Sequence, residues 1–485
     1  MSLENINNLN VYCNKRKFPL GTILCILITS LIIVVAFHLK KNVSDQHSEF
    51  TFITYFAIIS FMWICMSWYI ITKNFFSMYM IFMILSIPFY LGQPIVLLMR
   101  PDLISSILIA RYPYSILNQT ILYVMISYMF IHIGALAYML RVPKTNIKKT
   151  NVDYSNAMNE IGIILIIISI VPTIIILINS FRAVAIYGYI GLFIMSNTIA
   201  NCQGIFGVIG GFWVPGLYIL IIANSSIPIK RNKYIILLIL YILLIFVLGR
   251  RGENTIQIIG LLFIWHTCIK PISGKAVAKL FIFGIIFLVF ISVISTIRVS
   301  LNSGNFFALF LKTFDGSSDN NFLIDILKEF GTTLIVPATV INYTPSVLPY
   351  YGGKSIINFF LMLIPNLFWD INPGLIDGTI ESIFTPFLSD QSIGGFGSSF
   401  IAEMYYNFGN WGLLIFPIMG IVICKLSVGI NKMENKLKLF SSIYMFNIFL
   451  WYLRGEIMTS GKNMVYYILF PVILVMGIRR LSKRE

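Results

Sequence analysis

Apolar residues form long runs along most of this chain of 485 residues. A run of about 18–20 such residues crosses the hydrocarbon core of a bilayer when it is helical. Lipid leaves no partner for the backbone polar groups of an open strand or loop, so these runs are expected to be helices. Two shorter apolar segments, 103–110 and 183–195, are predicted to be re-entrant or to lie at the membrane interface. The pattern predicts about 12 transmembrane helices, at residues 18–38, 51–72, 75–98, 119–140, 161–180, 205–227, 234–249, 254–269, 279–297, 410–428, 439–453 and 463–478.

One long stretch, residues 299–408, contains no run of spanning length. Clusters of Gly, Pro, Asn and Asp within it favour turns. The mixed apolar and polar segments 322–340 and 355–369 predict short amphipathic helices that lie on the membrane surface or cover a cavity. The predicted division of the chain is therefore nine helices in 1–298, one large loop in 299–408 and three helices in 409–485.

The charges are unevenly distributed between the two predicted sides of the membrane. Most of the 35 lysines and arginines lie on the side of the N-terminus, whereas most of the 19 acidic residues lie on the other side. Basic residues are retained on the cytoplasmic side, so both termini are predicted to be cytoplasmic and the large loop periplasmic. The first span follows Lys15, Arg16 and Lys17 without an A-x-A-like cleavage site, and is expected to be uncleaved.

The composition supports this interpretation and excludes several classes of protein. The chain is 58% hydrophobic and 11% charged, too little polar surface to cover a soluble core. The net charge of +16 reflects basic residues retained in the cytoplasm, and no nucleic-acid-binding module accompanies it. None of the six cysteines lies in the large loop or in a CxxC pair, which argues against a disulfide scaffold or a structural metal. There is no nucleotide-binding motif, so no cofactor is predicted.

Arginines lie at the predicted outer ends of several helices. A guanidinium group binds phosphate oxygens in a bidentate manner and stays charged in any surroundings. We expect several of them to converge on a cavity open to the outer leaflet, where they would hold a pyrophosphate and stabilise the charge on a leaving group. The alternative is that each side chain extends separately to lipid headgroups. The residues are Arg250 and Arg251 between spans seven and eight, Arg298 after span nine and Arg454 after span eleven.

A second cluster of polar residues precedes the tenth span. Ser399, Glu403 and Asn407 have i, i+4, i+8 spacing, so they share one face of a helix, and Tyr406 lies beside them. Glu403 is a candidate general base toward a sugar hydroxyl, or a group that orients that hydroxyl. Tyr406 and Asn407 are candidates for hydrogen bonds to sugar. The alternative is a polar stripe that anchors the helix at the interface, with its tyrosine in the aromatic belt.

These motifs, taken in order, resemble those of the bacterial O-antigen polymerases, the Wzy-type polymerases of oligosaccharide repeat units. The resemblance covers roughly the C-terminal half of the chain, while the N-terminal half is similar only in hydropathy. The matching residues are the Gly249–Arg251 turn, Tyr351–Lys354, Ile364 and Pro365 with Trp369 and Pro373, Gly397–Glu403, Tyr406–Gly409, Gly412 and Leu453–Gly455.

The resemblance implies the multispan architecture of C-type glycosyltransferases, in the inner membrane with a periplasmic active site. Such enzymes move a growing glycan from undecaprenyl pyrophosphate onto the terminal sugar of a new lipid-linked repeat unit. The implied partners are undecaprenyl-pyrophosphate-linked oligosaccharides and membrane lipid, with a chain-length regulator as a further candidate and neither a nucleotide sugar nor an obligatory metal. Taken with the patterns above, the predicted catalytic residues are Glu403, Arg298 and Arg454, and the predicted substrate-binding residues are Arg250, Arg251, Tyr406, Asn407 and Lys354.

Two other functions fit the same topology. A flippase for lipid-linked oligosaccharides also has about a dozen spans, but it should carry charges in the middle of its spans and lack a long outer loop. The ligase that moves finished O-antigen onto lipid A core shares the multispan plan, the large periplasmic loop and the arginines. The order of the motifs favours the polymerase.

Overall fold

All regular structure in the described part of the chain is helical. The computed structural model describes residues 19–141, 153–187, 191–194, 206–277, 279–280, 284, 322–364, 374, 376, 378–388, 397–430 and 435–481. Among these residues there is no strand. Within the described residues, eight helical segments are long and apolar enough to cross a membrane, namely Leu20–Lys41, His47–Thr72, Met78–Met99, Tyr114–Arg141, Ser155–Tyr187, Phe206–Ala223, Phe400–Val428 and Ile457–Leu481. The protein is therefore an all-helical, multi-pass membrane protein, and the figure of about 12 spans stays a prediction.

The helices overlap the predicted spans wherever the structure describes them. The predicted span at 279–297 lies almost entirely outside the described residues. The helical segment that contains the predicted span 410–428 begins earlier, at Phe400. Of the two short apolar segments, 103–110 lies in the 3-10 turns Pro101–Ser106 and Leu108–Arg111. The second, 183–195, is described only in part: 183–187 ends the helix Ser155–Tyr187, and Gly191–Ile194 forms one helical turn.

The chain divides into two compact units, and the first comprises residues 1–141, 272–350 and 404–422. Its central helix is Tyr114–Arg141, which is buried over most of its length and packs against the two N-terminal helices. The described helices of this unit are Pro19–Lys41, His47–Thr72, Met78–Met99, Tyr114–Arg141, Phe322–Phe330 and Ile335–Tyr343, with 3-10 turns at Pro101–Ser106, Leu108–Arg111, Gly331–Leu334 and Gly409–Ile415.

Glycines allow two helices of this first unit to approach closely. A Cβ atom on Gly134 would collide with the backbone of Pro417, and one on Gly420 would collide with the backbone of Ile131. Helices in lipid gain van der Waals contact and not hydrophobic burial when they associate, so small residues at the crossing are favourable.

Part of the predicted large loop packs on the same unit. The helix Phe322–Phe330 lies along Met78–Met99, where Gln93 joins two chain segments. Its amide nitrogen donates to the carbonyl of Lys328 at 3.0 Å, and its oxygen accepts from the backbone N–H of Ile109 at 3.1 Å. These bonds satisfy buried polar groups that lipid would leave unpaired.

The second unit comprises residues 142–271, 351–403 and 423–485. Its packing centres on Trp213–Ala223, which contacts the helices before and after it. The described helices are Ser155–Tyr187, Gly191–Ile194, Trp213–Ala223, Pro228–Val247, Arg251–Ile264, Lys354–Met362, Ile380–Phe384, Lys436–Tyr452, Ile457–Met464 and Phe470–Leu481. The helices Phe400–Phe408 and Phe416–Ile430 each contain a boundary between the two units, after Glu403 and after Val422.

Candidate functional site

Glu403 lies at the centre of a buried polar cluster in the second unit. Its side chain is 0% exposed. One carboxylate oxygen, Oε2, accepts a hydrogen bond from the Tyr452 hydroxyl at 2.9 Å and another from the backbone N–H of Ile457 at 2.9 Å. The ring of Phe400 packs against Tyr452 with centroids 5.5 Å apart. The carboxylate is therefore shielded from water and held from two sides.

The bond to Ile457 places a carboxylate at the start of a helix. Ile457 is the first residue of the helix Ile457–Met464, whose first N–H groups have no partner within the helix. A negative charge at that end also interacts favourably with the helix dipole. Glu403 thus fixes the start of this helix, and with it the turn that precedes it.

Arg454 lies in that turn. Its backbone N–H donates to Trp451 at 3.2 Å, and the N–H of Gly455 donates to Tyr452 at 3.3 Å. The arginine is exposed, and its Cγ and Nε atoms lie 3.5 Å from the position that a Cβ atom on Gly397 would occupy. Gly397 has φ +74°, where side chains are strained. The turn therefore presents a guanidinium group from a fixed backbone.

A second carboxylate, missed in the sequence analysis, holds the other side of the turn. Glu456 is 6% exposed and accepts a hydrogen bond from the backbone N–H of Ile380 at 3.1 Å. Ile380 begins a short helix that Thr379 caps. Burial raises the pKa of Glu456 to about 7, the bond from Ile380 opposes that rise, and the charge of Glu381 adds to it. The sequence signal was an acidic residue in the same short turn as a predicted site arginine.

Lys354 lies at the same end of the second unit as Glu403. It is the exposed first residue of Lys354–Met362, with Nζ 5.7 Å from the ring centre of Tyr351. This helix runs parallel to Ile457–Met464. Three contacts show this: Ser355 lies beside Glu403, the ring of Phe359 fills the space above Gly461, and the Tyr466 hydroxyl donates to Leu363 at 2.8 Å. The structure thus brings together Glu403, Arg454 and Lys354.

Arg250 lies beside a carboxylate and a tyrosine of the second unit. Its Nη1 atom lies 3.7 Å from Oε2 of Glu253, and Tyr241 is close to both. The amide of Gln257 donates to Glu253 at 3.3 Å. Within the described residues, Arg250 is therefore in contact with Glu253, three positions along, and close to Tyr241 of the preceding helix.

The remaining predicted arginines are only partly covered by the structure. Arg251 is the first residue of Arg251–Ile264. Arg298 lies outside the described residues. Their convergence with Arg454 stays a prediction.

Tyr406 and Asn407 lie in the helix Phe400–Phe408, after the boundary that assigns them to the first unit. The predicted helical spacing is present, because the N–H of Glu403 donates to the carbonyl of Ser399 at 2.8 Å. Both side chains are buried, at 5% for Tyr406 and 1% for Asn407. Their proposed contact with sugar stays a prediction.

The chemistry available at this site is anion binding beside a buried carboxylate. Arg454 and Lys354 are exposed cations, and their neighbours in sequence or space, Glu456, Ser355 and Glu403, are buried. Within the described ranges, no group of three or more His, Cys, Asp and Glu side chains is arranged to hold a metal ion. The arrangement suits a substrate that combines negative charge with hydroxyl groups.

Fold and site together define a multi-pass membrane protein with two exposed cations near a buried carboxylate. The sequence profile of the O-antigen polysaccharide polymerase Wzy matches residues 20–485, nearly the whole chain. The protein therefore belongs to the family of O-antigen polysaccharide polymerases, membrane proteins of lipopolysaccharide biosynthesis that act on lipid-linked oligosaccharide repeat units. No curated protein and no solved structure matches the chain.

Proposed function

We propose that this protein transfers a growing glycan from undecaprenyl pyrophosphate to the terminal sugar of a lipid-linked repeat unit, at the periplasmic face of the membrane. The bond between the anomeric carbon and the pyrophosphate oxygen breaks, and a bond from that carbon to an acceptor hydroxyl oxygen forms. The hydroxyl proton passes to a base or to solvent, and undecaprenyl pyrophosphate leaves. The observation that carries the proposal is the exposed Arg454, on a turn held by two buried carboxylates.

Arg454 has the electrostatic task in this reaction. Negative charge builds up on the leaving pyrophosphate, and a guanidinium fixed in advance stabilises it without reorganisation. Lys354 adds a second, more flexible cation at the same end of the unit. Arg250, Arg251 and Arg298 are further candidates for pyrophosphate contact, and Tyr406 and Asn407 for contact with sugar.

Glu403 is proposed as a positioning residue for Arg454. Its Oε2 atom already accepts two hydrogen bonds, and its burial favours a structural carboxylate over one that meets substrate. The positioning role and the general-base role of Glu403 predict different results for the variant Glu403→Gln. Glu403→Gln keeps an oxygen for Tyr452 and Ile457 but cannot take a proton, so polymer should persist if Glu403 positions and disappear if it is the base.

Deletion of the gene tests the proposed activity directly. Lipopolysaccharide separated on a gel should show core that carries a single repeat unit, because transport and ligation continue without polymerisation. Core that carries no repeat would instead indicate a flippase or a ligase. Complementation with the wild-type gene should restore the ladder.

Complementation with site variants tests the mechanism. Arg454→Ala and Arg454→Gln should give single-repeat core at normal protein levels, and Arg454→Lys should restore part of the ladder. Loss of one charge-assisted contact to a developing anion corresponds to about 100-fold or more in rate. A wild-type ladder from Arg454→Gln would show that Arg454 is not needed for polymerisation and would contradict the proposed pyrophosphate site.

A further inference from the structure

A half-buried lysine in the first unit lies against a buried tyrosine. Lys40 is near the end of Pro19–Lys41. Its Nζ atom donates to the side-chain oxygen of Asn410 at 2.7 Å and lies 4.6 Å from the ring centre of Tyr123. Tyr123 is 0% exposed, and its hydroxyl donates to the carbonyl of Gly409 at 3.2 Å. The ammonium group is thus directed to one place by an amide and an aromatic face.

No carboxylate of the described residues forms an ion pair with Lys40. A lysine at a helix end normally extends its charge into water, as the exposed neighbour Lys41 does. A half-buried ammonium without a counter-charge is unfavourable, and such groups near membranes are commonly functional. Among the described residues this site has no negative charge, and a ligand would supply one.

Aromatic side chains border this lysine and lead to the surface. Tyr405 packs edge-on to Tyr123 with ring centres 5.0 Å apart, and Tyr350 packs edge-on to Tyr405 at 6.2 Å. Tyr350 is 43% exposed, and Trp411, which follows Asn410, is 78% exposed. Rings with one apolar face and one polar end suit a ligand that is itself amphipathic, such as a sugar.

We propose that Lys40, Asn410, Tyr350 and Trp411 bind the diphosphate-linked sugar of the acceptor substrate. This inference rests on the proposed function. The reaction joins two carrier-linked saccharides, and the acceptor keeps its diphosphate throughout. A second anion therefore needs a cation of its own, apart from Arg454, and Lys40 supplies it. Phospholipid headgroups also carry phosphate, and the experiment below distinguishes binding of the carrier from binding of phospholipid.

Native mass spectrometry of the full-length protein with added undecaprenyl pyrophosphate tests this site. The wild type should bind two copies, Lys40→Gln and Arg454→Gln one copy each, and the control Lys41→Gln two. Lys40→Arg, which keeps the charge, should retain the second copy. Phosphatidylglycerol binding should be equal in wild type and Lys40→Gln.

Several outcomes would overturn the inference. Two copies of undecaprenyl pyrophosphate bound to Lys40→Gln would overturn it. If Lys40→Gln also lost phosphatidylglycerol to the same extent, the lysine would be a site for lipid headgroups. Trp411 is on the surface, and Trp411→Ala should weaken binding of undecaprenyl pyrophosphate that carries a saccharide about tenfold. The affinity for undecaprenyl pyrophosphate alone should not change. If wild type and variant bind the saccharide-bearing carrier equally well, Trp411 does not contact sugar.

Complementation separates this inference from the proposed function. Lys40→Gln should give single-repeat core, and Lys41→Gln a full ladder. A full ladder from Lys40→Gln together with single-repeat core from Arg454→Gln would refute the acceptor site alone. Full ladders from both variants would refute the proposed function as well.

Discussion

The hydroxyl of Tyr452 donates to the same carboxylate oxygen of Glu403 that accepts the first N–H of the helix beginning at Ile457. Tyr452 ends the preceding helix, so one oxygen holds the two helix ends that flank the turn of Arg454. The position of the exposed arginine therefore depends on groups that substrate does not need to touch.

Tyr452→Phe should weaken this arrangement without abolishing it. The change removes one hydrogen bond to a charged group, worth about 1.5–3 kcal/mol, and leaves the bond from Ile457. We expect a lower melting temperature of the purified protein and shorter glycan chains. Tyr187→Phe is the control, because that ring is 54% exposed in the same unit. Identical melting of both variants would show that the hydroxyl of Tyr452 contributes nothing.

Gly397→Ala should reduce polymer more than Gly352→Ala does. Both glycines have positive φ, +74° and +64°, so the backbone strain of about 1–2 kcal/mol is shared. A Cβ on Gly397 would touch Arg454 at an ordinary contact distance of 3.5 Å, so a backbone shift there would reach the arginine, whereas nothing lies within 4 Å of a Cβ on Gly352. Gel analysis of lipopolysaccharide at matched protein levels measures the difference. Equal ladders would mean that a backbone shift at Gly397 does not affect the arginine.

Gly420→Ala should destabilise the protein, and Gly477→Ala should not. A methyl group on Gly420 collides with the backbone of Ile131, whereas nothing lies near Gly477 in its helix. Overpacking of this kind costs about 1–3 kcal/mol. Thermal unfolding in detergent, followed by loss of monodisperse protein, compares the two variants. A stable Gly420→Ala protein would contradict the close helix crossing.

Glu456 should make the stability of the protein depend on pH. Its pKa in the folded protein is about 7, above the ordinary value of 4.5, because burial disfavours the charged form. The stabilisation is complete below about pH 4.5 and is lost as the pH rises through about 7. We expect the free energy of unfolding to fall by about 2–3 kcal/mol between about pH 5.5 and 8.5. The melting temperature should fall with it.

The variant Glu456→Gln isolates this effect. It retains an oxygen for the N–H of Ile380 but does not titrate, while Glu403 and Glu381 are unchanged. Its melting temperature should vary less over the same pH range. A parallel fall in both proteins would assign the pH dependence to other groups.

The apolar runs predicted where most described helices lie, because lipid imposes a length and a composition that can be counted. The spacing around Glu403 also predicted a polar helix face, and the structure adds that this face is buried. Long-range pairing could not be predicted in the same way: Glu456 contacts Ile380, and nothing in the residues between them indicates it. The ion pair of Arg250 with Glu253, three positions away, is by contrast a local contact that the spacing in the sequence allows.

Gly92 and Gly331 meet so closely in the first unit that a Cβ on either would collide with backbone atoms of the opposite segment. A spanning helix and the predicted outer loop are thus fitted to each other by shape. Chimeric polymerases, in which loops are exchanged to alter the sugar repeat that is joined, should succeed only when the transplanted loop brings a glycine at the position of Gly331.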